Sequence, residues 1–421
     1  MNQISNEFEK NLEKYAEVII KVALNLQPGQ KLCIYSPLTF GVPLEIAPLV
    51  RLITKIAYQN GARFVEIMWY DEEVHLSRFQ NAPIETFNEF PTWKYDYLCN
   101  HVKEGNPLLY IIAFNPELLS EQDSERIKLF QGTYYKGVEK IVNIMKDRPS
   151  NNSYITAPVT GWANKVFFDE SPQERTNKLW DKIFEMCRIK YEDPISAWRE
   201  HVTQLKAKCD YLTNKQYSTL KFNAPGTDLI ISLPKNHIWR SGSVRSKNGI
   251  DYIPNIPTEE IFTIPHKDKT EGFVSATKPI FENKIIEDFK FTFSDGKITE
   301  ISAKKGGEIL QDMIKIDDGA NKLGEVALVP NSSPISQMNM LFYNGLIDEN
   351  ASCHLALGRG FRICLKNGEK MSDKEFAASG GNQSNIHTDF MIGSGEMDLD
   401  GIKADGTSEA IMRNGEWVFN I

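Results

Sequence analysis

Along the first half of the chain, the spacing of apolar positions switches back and forth between the helical and the strand period. Residues 8–26 place Leu12, Tyr15, Ala16, Ile19, Val22, Ala23 and Leu26 on one helical stripe, which Pro28-Gly29 stops. Residues 31–35 read as a strand. A helix over 44–58 ends at Asn60-Gly61, a left-handed stop, and 63–69 is the next strand. Residues 93–102 predict a helix, 108–113 a fully apolar buried strand, 124–145 a helix and 154–158 a strand. Helices over 172–189 and 194–208 complete this half. Strands that alternate with helices predict a parallel sheet covered on both faces.

The texture changes after Asn214. Short strand-like runs at 219–222, 229–233, 260–264, 289–293 and 297–302 are separated by turn signals such as Pro225-Gly226, Ser294-Asp295-Gly296 and Lys366-Asn367-Gly368. A helix over 307–323 interrupts them, and 326–329 and 417–419 read as further strands. The predicted class is α/β. Residues 1–205 form an N-terminal domain with a parallel sheet covered by helices. Residues 206–421 form a C-terminal mixed α+β domain, rich in strands, that carries the chemistry. A chain of 421 residues also exceeds the size at which a single core stops growing.

Composition narrows the functional classes. The chain is 41% hydrophobic and 25% charged, an ordinary balance for a globular protein. A net charge of −8 disfavours nucleic acid as a partner, because phosphate binding needs a basic patch. No apolar run approaches the roughly 18–20 residues of a membrane span. The opening residues, Met1-Asn2-Gln3-Ile4-Ser5-Asn6-Glu7, carry no basic and apolar stretch of the secretory kind. Six cysteines (Cys33, Cys99, Cys187, Cys209, Cys353 and Cys364) show no C-x-x-C spacing and are expected to be reduced and buried, as in a cytoplasmic protein.

Two of the seven histidines lie in the last fifth of the chain, each close to acids. His387 and Asp389 are two apart, so on a strand both point to one face. Gly380-Gly381 and Gly393 bracket that run. Taken alone, a His-x-Asp triplet is common by chance and more often a surface pair than a ligand pair. Glu349 and His354 fit a loop entering a strand, with Cys353 turned to the opposite face from His354. Taken alone, His354 is more often a satisfied core histidine and Asp348-Glu349 a solvated turn. Glu325 stands before Val326-Ala327-Leu328-Val329-Pro330, an apolar setting in which an unpaired carboxylate is costly. In Glu259-Glu260, strand alternation lets one acid face inward and does not choose which.

Counted together, Glu259 or Glu260, Glu325, Glu349 and Asp389 carry four negative charges, matching two divalent cations, and His354 and His387 complete six ligands. That set suits a two-metal hydrolase. The chain has no G-x-G-x-x-G, G-x-x-x-x-G-K-[ST], H-E-x-x-H or G-x-S-x-G, so the common nucleotide, zinc-protease and serine-hydrolase fingerprints are absent.

The strings Pro257-Thr258-Glu259-Glu260-Ile261-Phe262-Thr263, Leu323-Gly324-Glu325-Val326-Ala327-Leu328-Val329-Pro330, Asp348-Glu349-Asn350-Ala351-Ser352-Cys353-His354 and Gly381-Asn382-Gln383-Ser384-Asn385-Ile386-His387-Thr388-Asp389-Phe390-Met391-Ile392-Gly393 closely resemble the M29 family of metalloaminopeptidases. The likeness runs the length of the chain. It includes Asn25-Leu26-Gln27-Pro28-Gly29-Gln30, Gly161-Trp162-Ala163 and Glu192-Asp193-Pro194. The resemblance implies a cytoplasmic homodimer that removes N-terminal residues from peptides with a free N-terminus, using two divalent ions (Zn, Co, Mn or Mg). It implies Glu260, Glu325, Glu349, His354, His387 and Asp389 as ligands, with Glu260 chosen over Glu259. Glu260 or Glu325 would accept the proton of the attacking water.

The family places a tyrosine shortly after the histidine of the third motif. This chain reads Gly358-Arg359-Gly360-Phe361 there, and Phe361 has no hydroxyl to donate. Arg359 or Tyr343 would then have to polarise the carbonyl. The same departure motivates an alternative: a catalytically weakened metal-binding protein of the same fold that binds peptides or acts as a scaffold. A two-metal phosphoesterase is disfavoured, since no lysine or arginine cluster lies near the ligands in sequence.

Overall fold

A computed structural model of the chain describes residues 2–39, 41–282, 284–419 and 421. Contacts divide the chain into two units, residues 1–200 with 243–257, and residues 201–242 with 258–421.

The first unit is built on a four-stranded parallel sheet in the order Phe64–Ile67, Lys31–Tyr35, Leu108–Ile112, Ser153–Thr156. Every residue of Leu108–Ile112 is buried, as a strand covered on both faces must be. Leu98, Cys99 and Val102 of helix Thr92–Lys103 and Val138 and Ile141 of helix Ser124–Met145 pack on it through Cys33, Tyr35, Leu108 and Tyr110. The latter helix begins where expected because the Asp123 carboxylate accepts from the backbone N–H groups of Glu125 and Arg126. Residues 243–257 join this unit through Tyr154 N–H to Pro254 O, 2.8 Å, and Ile253 N–H to Ala23 O, 2.9 Å. Helix Glu72–Asn81, capped by Asp71, was not read from the sequence; among its residues only Phe79 is buried, so it carries almost no apolar stripe.

The boundary between the units falls inside helix Pro194–Lys215. The second unit holds two antiparallel sheets. One has nine strands, with Thr219–Ala224, Thr227–Ser232, Thr270–Ser275, Lys284–Ser294 and Asp398–Ile402 at its centre. The other has four strands, in the order Ile261–Thr263, Leu323–Leu328, His354–Gly358, His387–Met391. The expected helix over 307–323 is shorter, Gly307–Met313, and Leu323 already belongs to a strand. Past Met313 the backbone tightens into turns, with the Lys315 N–H on Asp312 O and the Ile316 N–H on Met313 O, and the Asp317 carboxylate then accepts from the Gly319 N–H at 3.0 Å, a local bond that competes with helix.

The two sheets share one apolar core. Phe390 of the small sheet meets Phe291 of the large one with ring centroids 5.1 Å apart, and Val326, Leu328, Leu355 and Leu357 join the same cluster. Alternation along the small sheet turns these residues inward and leaves its other face for polar groups. Leu355 is fully buried in the centre of this packing. Leu355→Ala is expected to lower the stability of the second unit by about 2–5 kcal/mol, read as a drop in its denaturant midpoint; a change within about 0.5 kcal/mol would contradict this packing.

Candidate metal centre

The outer face of the four-stranded sheet collects the acids and histidines. Register pairs Glu325 with Ala356 and Ala356 with Asp389, so these three lie in one row across three strands. His354 is two before Ala356 and His387 two before Asp389, which puts both rings on that same face. Ala356 contributes a single methyl between the two acids.

Glu325 reaches this face through a backbone irregularity. Leu323, two residues earlier, pairs with Leu357 and joins the core, so strict alternation would bury Glu325 with it. The register shifts between Leu323 and Glu325, and the extra residue is Gly324. A Cβ there would lie 2.3 Å from the Gly358 carbonyl oxygen, so glycine is required. Such a bulge re-aims the next side chain.

The remaining two acids come from outside the strands. Glu260 precedes Ile261–Thr263 directly and shares its alternation with Phe262. Its Oε2 lies 3.1 Å from His354 Nε2. Glu259 turns the other way and is buried, 3.5 Å from His201 Nε2. Glu349 opens the turn Glu349–Ala351 just before the His354 strand. The preceding Asp348 carboxylate accepts from the N–H groups of Phe342, 2.8 Å, and Asn344, 2.9 Å, and so fixes the approach to this turn. Cys353 points into the core, with its Sγ 3.2 Å from Val329 O.

The ligand atoms converge in two overlapping groups, Glu260-Glu325-His354 and Glu325-His387-Asp389, each with its atoms within 4.8 Å of one another. Glu325 is common to both. His387 Nε2 lies 3.0 Å from Glu325 Oε2 and 3.5 Å from Asp389 Oδ1. The outer nitrogen of each ring is also fixed: His354 Nδ1 donates to Ser352 O at 3.2 Å and His387 Nδ1 to Arg359 O at 2.7 Å. A carbonyl only accepts, so each Nδ1 carries a proton and each Nε2 is turned toward the acids. This is the outer-shell arrangement of metal-binding histidines.

The electrostatics follow from crowding and burial. Burial, reinforced by Glu260 and Asp389, pushes the Glu325 carboxyl up to about 7. Burial and the Glu260 and Asp389 charges hold Glu349 well above the usual carboxylate range. Burial opposes charge on both rings, but the bond to Glu260 raises His354 to about 10, and the bonds to Asp389 and Glu325 raise His387 to about 11. Burial likewise opposes charge on Asp389, and the His387 bond holds that carboxyl below its usual value. The three acids and two imidazoles of these groups form a donor set suited to divalent cations that accept mixed oxygen and nitrogen ligands, while Glu349 belongs to neither group and is tied to the cluster only through its charge.

Phe361 stands at the edge of the centre. Its ring centroid is 4.9 Å from that of His387 and 5.6 Å from that of Phe262. Tyr343 has a φ of 57° and packs edge-on against Phe281 at 5.7 Å, while Arg359 is exposed and meets His387 through its backbone oxygen. Sequence reading missed Ala356, the Gly324 bulge, Asn350 and the His201–Glu259 pair. Of these, only Gly324 carried a signal, a glycine inside an apolar strand.

The family model described as thermophilic metalloprotease (M29) matches residues 8–417. Aminopeptidase 2 of Geobacillus stearothermophilus is 44% identical over 418 residues, covering 99% of this chain and 100% of that protein. Aminopeptidase AmpS of Bacillus subtilis is 40% identical, covering 98% of this chain and 99% of that one. The solved structure of wild-type AmpT from Thermus thermophilus matches with a TM-score of 0.91 at 35% identity, covering 98% of this chain and 100% of that chain. With both sequence and fold matched from end to end, the chain belongs to the M29 family of metalloaminopeptidases.

Proposed function

We propose that this chain removes N-terminal residues from peptides, using two divalent cations held by Glu260, Glu325, Glu349, His354, His387 and Asp389. The observation that carries this reading is the convergence of two overlapping ligand groups on one sheet face, with both imidazoles already oriented by backbone carbonyls. When bound, the cations supply Lewis acidity to the scissile carbonyl and acidify the attacking water. Glu325, shared by both groups and buried, takes the water's proton and passes it to the leaving amine. Glu260 holds its place beside His354 as a ligand. The free amino terminus of the substrate is bound at one edge of the same acidic cluster, which makes the reaction exopeptidic. Aminopeptidase relatives support the substrate class.

Two further properties belong to this reading. The six cysteines are all buried and unpaired with one another, which suits the reducing cytoplasm. No helix among the described residues is long and apolar enough to cross a membrane. The homodimer implied by the family likeness completes the proposal.

A second reading has its own observation: Phe361 packs on His387 without a hydroxyl to offer the carbonyl. In that case metal and peptide bind but turnover is weak.

Hydrolysis of leucine p-nitroanilide is expected to vanish on chelation and return with cobalt, manganese or zinc; activity that survives chelation would sink the reading. At saturating cation, Glu325→Gln should lower kcat by about 10²–10⁴-fold, the usual worth of a positioned base, with the fold retained by circular dichroism. The two imidazoles, raised above their usual range in the chelated protein, hold protons at neutral pH and must release them to bind a cation. Affinity for Mn²⁺ should therefore rise with pH from 6.5 to 8.5, by about tenfold per unit for each proton displaced. A flat profile would show that the rings are not ligands. Phe361→Tyr should raise kcat about fivefold, the worth of one hydrogen bond of about 1 kcal/mol. No gain would mean that the aromatic edge takes no part in polarising the carbonyl.

A further inference from the structure

Four of the six ligands stand on strands or strand ends whose ladder bonds fix their spacing: Glu325, His354, His387 and Asp389. Glu260 and Glu349 do not. One lies just before a three-residue strand and the other in a single 3₁₀ turn. They also repel each other, since the Glu260 charge acts directly on Glu349. Something other than the sheet must hold these two side chains in place.

We propose that Asn350 is the positioning residue that ties the Glu260 and Glu349 segments together and so builds one of the two cation sites. Its side chain is fully buried. Its Oδ1 accepts from the Glu259 N–H at 2.8 Å, which fixes the peptide immediately before Glu260. Its Nδ2 donates to Leu346 O at 3.2 Å, anchoring its own turn, and lies 3.4 Å from Glu349 Oε1. One planar amide therefore spans both ligand-bearing segments. Only a group with an acceptor and donors on the same short stem can do this. Aspartate would place another carboxylate against Glu349, and leucine, of the same shape, would leave the Glu259 N–H without its partner.

At its Glu260 end the tie reaches one ligand group only. Glu260 belongs to the group with Glu325 and His354, whereas His387 and Asp389 are held by their own strand and by Arg359 O. Loss of the amide should therefore weaken one cation site and spare the other. The inference rests on the metal-centre reading above.

The test is calorimetric titration of the chelated full-length protein with Mn²⁺, for wild type, Asn350→Leu and Asn350→Ser, alongside metal content and thermal unfolding of each chelated form. Wild type is expected to show two binding steps. Both variants should show one step weakened about 10–100-fold, the usual cost of losing an outer-shell contact, with the other within about twofold. Excess Mn²⁺ should then restore the kcat of Asn350→Ser, as a packing defect would not allow. The smaller serine variant decides the matter if the leucine variant does not fold. Two unchanged steps, with or without a lower unfolding temperature, would show that Asn350 only fills space and would overturn the proposal. Equal weakening of both steps would overturn it as well. Wild type taking up no Mn²⁺ at all would instead remove the metal-centre reading, a distinct failure.

Discussion

Mutual repulsion among carboxylates is the constraint from which the rest of the second unit follows. At the 4.8 Å spread of the ligand atoms, two unit charges repel by about 3–4 kcal/mol at an effective dielectric near 20. Glu325 and Asp389 would separate if their backbones allowed it. The sheet does not allow it: Glu325, Ala356 and Asp389 are locked in one row by ladder bonds, and the opposite face of that sheet is committed to the shared apolar core. Hydrophobic burial on one side thus holds together charges that would not assemble on the other. Positive charge is what relieves the strain, supplied by imidazolium rings or by cations.

The third motif shows how densely a short stretch can serve this purpose. In Asp348-Glu349-Asn350-Ala351-Ser352-Cys353-His354, Asp348 pins the preceding loop and Glu349 lies against the Asn350 amide. The Ser352 carbonyl orients the ring of His354, and Cys353 anchors the strand in the core. The bulge at Gly324 performs the complementary task on the neighbouring strand. It changes the phase of alternation between Leu323 and Glu325, so that an apolar strand can deliver one acid to the polar face without losing its own core contacts.

Much of this was legible along the chain, and the failures share a cause. Local signals worked where local physics decides: the apolar run at Leu108–Ile112, the Asp123-capped helix Ser124–Met145 and the strand that carries both His387 and Asp389 all follow from spacing and caps. The stretch after Met313 misled because its apolar spacing continues while the backbone tightens into turns at Asp312–Ile316 and again at Asp317. The association of residues 243–257 with the first unit was invisible, since it depends on bonds to Ala23 and Tyr154, far away in sequence. At the centre, alternation could not choose between Glu259 and Glu260. The structure sends one to His354 and the other to His201, a difference written in partners far along the chain. The family likeness named Glu260 where spacing could not.

The Nδ1 of each histidine is held by a main-chain oxygen, that of Ser352 or of Arg359, while its Nε2 faces the acids. A carbonyl cannot be exchanged by a point substitution, so the tautomer and tilt of each ring are inherited with the fold itself. Variation among descendants of this chain is thereby channelled. The imidazole half of the cluster is closed to gradual tuning, while the acids and the amide beside them remain open to it. Shifts in which cation such a protein prefers would accumulate on the oxygen side, one carboxylate at a time.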